Sequence, residues 1–167
     1  YKNRVVIPYD GVNAQFKNVI HHELVHAFIN DYIYKGSMKN IQNQDVILIP
    51  LWMNEGLAEF LASDWNAESD MWIRDLVING GHLPKLNELN GYLAYRGGQS
   101  IWEFIVEKLD TAYINQETKA PTIIAKIFES IAISANLNQA LEESIGIGLE
   151  ELELEWHKYL KSEYWPD

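Results

Sequence analysis

A helical HExxH motif constrains the fold of this chain more than any other feature of its sequence. The motif runs from His22 to His26, with Glu23 in its second position, and apolar residues fill the places between and after the histidines. Residues 13–32 contain neither proline nor glycine, the two residues that most disfavour a helix interior. A buried helix is therefore expected here. Residues four apart lie above one another on a helix, so both imidazoles should share one face.

The side chains of this motif suit a hydrolytic metal site. Two neutral imidazole nitrogens presented from one face are ordinary zinc ligands. Glu23 lies too far round the helix to bind the ion, but it can reach a water bound there. Zinc lowers the pKa of that water to about 7, and a neighbouring carboxylate can then take its proton. The motif thus predicts a metallohydrolase; the alternative is an amphipathic helix whose histidines lie at the edge of an ordinary core.

The best candidate for a third metal ligand is Glu55. A catalytic zinc ion usually has three protein ligands, and a chain without cysteine must supply them as His, Asp or Glu. Residues 51–62, LWMNEGLAEFLA, place Glu55 and Glu59 four apart on one helix face. We expect Glu55 on the metal and Glu59 behind it, accepting a hydrogen bond from a ligand histidine and fixing its tautomer. The alternative is a solvated acidic face, for which the apolar neighbours leave little room.

An HExxH motif followed by an Asn-Glu-Gly-x-Ala segment resembles the gluzincin zinc metallopeptidases, the group that includes thermolysin and the alanyl-aminopeptidase-like enzymes. The resemblance implies a helical zincin catalytic domain that binds one zinc ion and hydrolyses peptide bonds. It assigns the metal to His22, His26 and Glu55. It also implies that Glu59, one turn after the third ligand, braces His22.

A third segment, residues 92–100, resembles the Tyr-x-x-Gly stretch that precedes a helix in aminopeptidase-like gluzincins. In those enzymes the tyrosine hydroxyl donates to the oxyanion of the tetrahedral intermediate, and the resemblance gives this role to Tyr95. A phenol is a neutral donor that can stabilise developing negative charge. The alternative is a tyrosine that packs at a helix start. Arg96, next to it, either binds a substrate carboxylate or balances nearby acidic residues.

Two features depart from the family pattern. The segment between the second histidine and Glu55 is longer than in the best-known members, and residues 34–49 are expected to form an inserted loop that borders the cleft. The Gly-x-Met-Glu-Asn stretch with which the aminopeptidases of this group bind the free amine of their substrate is not found. Either that stretch belongs to a part of the protein outside this sequence, or the enzyme is not an aminopeptidase. We expect an endopeptidase or a narrow-specificity peptidase.

Length and charge limit the other possibilities. The chain has 167 residues, 47% of them hydrophobic, and a net charge of −11. One domain over residues 1–167 is the natural count, and we expect it to be a piece of a longer chain with neighbouring domains. The acidity argues against nucleic acid as a partner. A peptide or protein substrate is what the resemblance implies. No run approaches the roughly 18 apolar residues of a membrane span. Similar domains of exported bacterial proteins imply an extracytoplasmic, periplasmic or surface location.

Apolar periodicity and capping residues predict a mainly α fold, within the α+β class, that carries a short N-terminal strand or sheet edge at residues 4–8. Ser100 and Asn136 are expected to cap the helices that follow them. Besides the HExxH helix, helices are predicted over residues 50–65, 70–78, 100–109, 122–133, 137–145 and 149–164, with a turn at residues 84–90.

The sequence therefore favours zinc-dependent peptide-bond hydrolysis in which Glu23 takes a proton from zinc-bound water and passes it to the leaving amine. The alternative is a non-catalytic, zinc-stabilised binding module of a multidomain exported bacterial protein. A purely structural zinc site has no need of Glu23 and favours a fourth protein ligand, for which the sequence offers no candidate. Two histidines and a carboxylate also suit other divalent ions, and the substrate stays open.

Overall fold

The computed structural model describes residues 7, 9, 11–34, 48–109 and 119–165, and this part of the chain is almost entirely helical. It contains seven α-helices and no β-strand. The mainly α class expected from the sequence is thus confirmed. The strand predicted at residues 4–8 lies outside the described residues, except for Ile7, which belongs to no regular element.

The described connections between the helices contain two to four residues, except that between α3 and α4, which runs from residue 80 to residue 91. A 3₁₀ turn, Leu86–Glu88, precedes α4, and a π-helical turn, Phe104–Lys108, continues it. The α-helices are α1 (Asn13–Tyr34), α2 (Leu51–Ala62), α3 (Ala67–Asn79), α4 (Tyr92–Glu103), α5 (Lys119–Ser134), α6 (Leu137–Ile145) and α7 (Leu149–Tyr164).

Side-chain caps set two of the helix starts. Asn66 accepts hydrogen bonds from the backbone N–H groups of Glu68 and Ser69, at 2.9 and 3.1 Å, so α3 begins earlier than the apolar pattern indicated. Asn136 accepts from the N–H of Gln139 at 3.1 Å and starts α6 as predicted. That helix ends at Gly146, whose φ of 81° is readily adopted only by glycine.

The prediction that Ser100 begins a helix is wrong. α4 starts at Tyr92, directly after Gly91, and Ser100 lies inside the helix with only 2% of its surface exposed. Its hydroxyl oxygen accepts a hydrogen bond from the indole N–H of Trp156 at 3.1 Å, so packing against α7 has overridden its preference for a cap position.

Two glycines bring α2 and α4 into close contact. A Cβ atom on Gly98 would overlap the carbonyl oxygen of Trp52 and lie 2.8 Å from the Cα of Gly56. A Cβ atom on Gly56 would in turn overlap the backbone of Gly98. The two backbones are therefore in direct contact, which explains why a residue of low helix propensity lies inside each helix.

The core lies beside this crossing and is anchored by tryptophans. Trp102 and Trp156 are completely buried. The indole N–H of Trp102 donates to the carbonyl oxygen of Met53 at 3.0 Å, which ties α4 to α2, and its ring stacks with Phe128 of α5 at 6.2 Å. Among the described residues, no helix combines the length and the apolar character required to cross a membrane.

Candidate metal centre

Three potential ligand atoms from α1 and α2 converge at one point. The Nε2 atoms of His22 and His26 lie 3.0 Å apart. The Oε2 atom of Glu55 lies 3.3 Å from the first and 3.2 Å from the second. The i, i+4 spacing places both imidazoles on one face of α1, as expected, and α2 presents the carboxylate to that face. The structure thus brings together the three residues predicted to hold the metal.

Both imidazoles are oriented through their other nitrogen atoms by side chains of α2. The Nδ1 atom of His22 lies 3.2 Å from Oε1 of Glu59, and the Nδ1 atom of His26 lies 3.1 Å from Oδ1 of Asn54. Each oxygen can accept a hydrogen bond only if the facing Nδ1 carries the proton. That tautomer leaves both Nε2 atoms with free lone pairs directed at Glu55.

This donor set fits a metal ion. Two imidazole lone pairs and a carboxylate oxygen are all acceptors, so their convergence requires a shared cation or proton between them. Atoms bound at 2.0–2.1 Å to a tetrahedral zinc ion lie about 3.3 Å from one another. The observed separations of 3.0, 3.2 and 3.3 Å are close to that value. His22, His26 and Glu55 are therefore the residues that would hold the ion.

The electrostatics of the centre favour positive charge. Burial by itself lowers the pKa of His22, but the hydrogen bonds and negative charges of Glu59 and Glu55 outweigh it, and the pKa is raised. The hydrogen bond from His22 lowers the pKa of Glu59 and the nearby charge of Arg96 lowers it further, against the opposing effect of burial. Glu59 is therefore held as a carboxylate, the form that can accept from both neighbours.

Tyr95 lies in the same site, although its helical context differs from the expectation. It lies within the first turn of α4 rather than in a stretch before a helix. Its ring stacks on His22 with centroids 5.9 Å apart and planes 10° apart. Burial raises the pKa of Tyr95, and so do a hydrogen bond to Glu55 and the charges of Glu55, Glu59 and Glu23. The phenol consequently stays protonated and able to donate.

Glu23 lies close enough to Tyr95 for its charge to act on the phenol. Its side chain is partly exposed, and it contributes to the raised pKa of Tyr95. Within the part of the chain that the structure describes, its carboxylate has no hydrogen-bond or ion-pair partner. A carboxylate one residue from a potential ligand can accept a proton from a group bound at the centre.

Two further residues contribute to the centre, of which only Asn54 was not identified from the sequence. Asn54 orients His26, and its position immediately before Glu55 was the only available signal. Arg96 contacts Glu59 at 3.0 Å and Glu68 at 3.8 Å. These contacts support one of the two roles expected for Arg96, which is to balance the charge of nearby acidic residues.

Comparison of the chain with protein-family models, with curated proteins and with solved structures finds no match.

Proposed function

We propose that this chain is a zinc-dependent peptidase domain of the gluzincin type, acting as an endopeptidase or a narrow-specificity peptidase. The observation that carries the proposal is the convergence of two imidazole Nε2 atoms and a Glu55 oxygen within 3.3 Å of one another. The Nδ1 atoms of both imidazoles face acceptors on α2, which leaves the lone pairs of the two Nε2 atoms free for an ion.

A bound zinc ion would polarise a substrate carbonyl and lower the pKa of water at the centre. The residues of the chain supply the rest of the chemistry. Glu23 accepts the proton of the attacking water and returns it to the leaving amine. The protonated hydroxyl of Tyr95 donates to the carbonyl oxygen as negative charge develops there. Glu59 and Asn54 hold the two imidazoles in the tautomer that the centre requires.

The surroundings of the centre favour a catalytic role over a purely structural one. The side chains of His22, His26 and Glu55 are between 14% and 18% exposed, so solvent reaches the group. Among the described residues no fourth His, Cys, Asp or Glu joins them as a possible ligand. Structural zinc sites are closed by a fourth protein ligand, whereas catalytic sites leave one position open.

Cleavage of a mixed peptide library by the zinc-loaded protein, read by mass spectrometry, tests the proposal. Glu23→Gln is the matched control, because the amide keeps the size of the side chain and leaves the three proposed ligands in place, but cannot act as a base. We expect cuts by the native protein and a loss of at least about 100-fold in the variant. Zinc content is measured for both proteins.

The outcomes separate the two classes of function. Cuts that disappear in the Glu23→Gln protein support a peptidase and reveal its specificity. One zinc per chain without any cleavage would favour the non-catalytic binding module, stabilised by the same three ligands. Failure of the native protein to bind zinc or another divalent ion would reject both.

A further inference from the structure

Glu59 contacts two side chains, each through a different carboxylate oxygen. Its Oε1 atom lies 3.2 Å from Nδ1 of His22, and its Oε2 atom accepts a hydrogen bond from Nη1 of Arg96 at 3.0 Å. A carboxylate bound at only one oxygen can turn about its last side-chain bond. Here the second contact fixes the plane of the carboxylate, and thereby the acceptor that faces the imidazole.

Arg96 is itself held from several directions. Its Nε–H donates to the hydroxyl of Tyr92 at 3.0 Å, and its guanidinium carbon lies 5.6 Å from the centre of that ring. Nη1 also lies within 3.2 Å of Ser69 Oγ and Gln99 Oε1. The planar guanidinium has rigidly arranged donors, so these contacts leave it little freedom to move.

The polar residues behind the arginine lie deep in the protein. Ser69 and Gln99 have 0% and 1% of their surface exposed, and the serine hydroxyl donates to the glutamine oxygen at 3.0 Å. Such groups are costly to bury unless their hydrogen bonds are satisfied. Their positions are therefore fixed by the fold of α3 and α4. Because Arg96 contacts both of them and Glu59, it fixes the position of Glu59 relative to these two helices.

We propose that Arg96 is a positioning residue of the metal centre. It acts through Glu59 to hold the His22 ring in one orientation and one tautomer, and it thereby raises the affinity of the centre for zinc. The inference rests on the proposed function, because it requires that His22 binds a metal ion. The competing interpretation is that Arg96 only ties α2 to α3 and α4, in which case its loss would change stability and leave zinc affinity alone.

Zinc affinity, measured by competition with a chromophoric chelator, distinguishes these interpretations. The test variant is Arg96→Met, and the control is Arg74→Met, at a more exposed arginine with the same kinds of contact. Arg74 also forms an ion pair, with Asp70 at 2.8 Å, and also lies over a tyrosine ring, that of Tyr164 at 5.9 Å. Neither of its partners belongs to the metal centre.

We expect Arg96→Met to lower zinc affinity by about tenfold, at the weaker end of the 10–100-fold range for residues that orient metal ligands. Arg74→Met should leave the affinity unchanged. Arg96→Lys keeps the charge but lacks the planar fork, so we expect an intermediate loss. This milder variant also keeps the test valid if the methionine variant does not fold.

A double variant identifies the route of the effect. If Arg96 acts through Glu59, the loss caused by Arg96→Met should largely disappear in a Glu59→Gln background. The visible spectrum of the cobalt-substituted protein should change in Arg96→Met and not in Arg74→Met, because it reports the geometry of the ligands.

Each outcome supports or overturns the inference. Native-like zinc affinity and cobalt spectra in both Arg96 variants would overturn it while leaving the proposed function intact. Additive losses in the double variant would also overturn it, since the arginine would then act independently of Glu59. A native protein that binds no divalent ion would overturn the inference together with the proposed function.

Discussion

The glycine contact between α2 and α4 leads to a quantitative prediction for two neighbouring substitutions, Gly98→Ala and Gly97→Ala. Helix propensity alone favours alanine at both positions by about 1 kcal/mol. At Gly98, however, the new Cβ would overlap the carbonyl oxygen of Trp52 and lie 2.8 Å from the Cα of Gly56. Backbone atoms cannot turn aside, so relief requires the two helices to separate.

The expected magnitudes differ because the obstacles differ. Overpacking a well-packed interior costs about 1–3 kcal/mol, and an obstacle made of backbone belongs at the upper end of that range. After the gain in propensity, Gly98→Ala should lower the free energy of unfolding by about 2 kcal/mol. At Gly97 the new Cβ meets the end of the Leu89 side chain at 2.9 Å. That methyl group can move, so Gly97→Ala should be close to neutral.

Urea unfolding followed by tryptophan fluorescence measures the difference. For a slope of about 2 kcal/mol per molar urea, the transition midpoint of Gly98→Ala should fall by about 1 M relative to the native protein. Gly97→Ala should unfold near the native midpoint. Free energies of unfolding that agree for the two variants within about 0.5 kcal/mol would refute the reasoning, because that is the ordinary scatter of substitutions without a specific effect.

Three further predictions concern the metal centre and the C-terminal helix. Zinc at 100 times its dissociation constant should stabilise the native protein by about 2.7 kcal/mol in thermal unfolding; an equal gain in His26→Ala would contradict the ligand assignment. Tyr95→Phe should still bind zinc but hydrolyse peptides about 100-fold more slowly, as for loss of one oxyanion donor; unchanged turnover would remove this role. Burial and Asp70, whose Oδ1 accepts from the Tyr164 hydroxyl at 3.0 Å, raise the pKa of Tyr164. The folded state therefore keeps a proton that the unfolded state loses near pH 10, so stability should fall as the pH rises above 10. A pH series of unfolding should show a shallower fall for Tyr164→Phe, and equal slopes would contradict this.

The parts of the site that follow local helix geometry were predictable from the sequence. The spacing of His22 and His26 fixes their common face whatever the rest of the chain does. The same spacing places Glu55 and Glu59 on one face of their helix. Because the chain has no cysteine, the third metal ligand had to be His, Asp or Glu. The structure brings these four side chains together, while the binding of a metal by His22, His26 and Glu55 stays a prediction.

The parts that depend on how helices pack were not predictable in the same way. Ser69 and Gln99 meet behind Arg96 from different helices, and nothing in their local sequence indicates that they are buried. Ser100 has the chemistry of a helix cap and was assigned as one. Its burial against Trp156 follows from the packing of α4 on α7, to which a single-sequence pattern gives no access. The expectation that Tyr95 lies before a helix rested on the family resemblance and on Ser100 as the cap of that helix, and it is wrong because α4 begins at Tyr92.

The arrangement of α1 and α2 also has a consequence for design. The side chains that would hold the ion or orient its imidazoles directly are His22, His26, Asn54, Glu55 and Glu59, and all of them belong to this one helix pair. The relative positions of the three proposed ligands are accordingly set by the crossing of α1 and α2. Grafting that crossing onto an unrelated helical bundle should transplant the ligand set, whereas full zinc affinity should also require a counterpart of Arg96 on a third helix. Loop insertions between α1 and α2 should be tolerated without displacing a ligand.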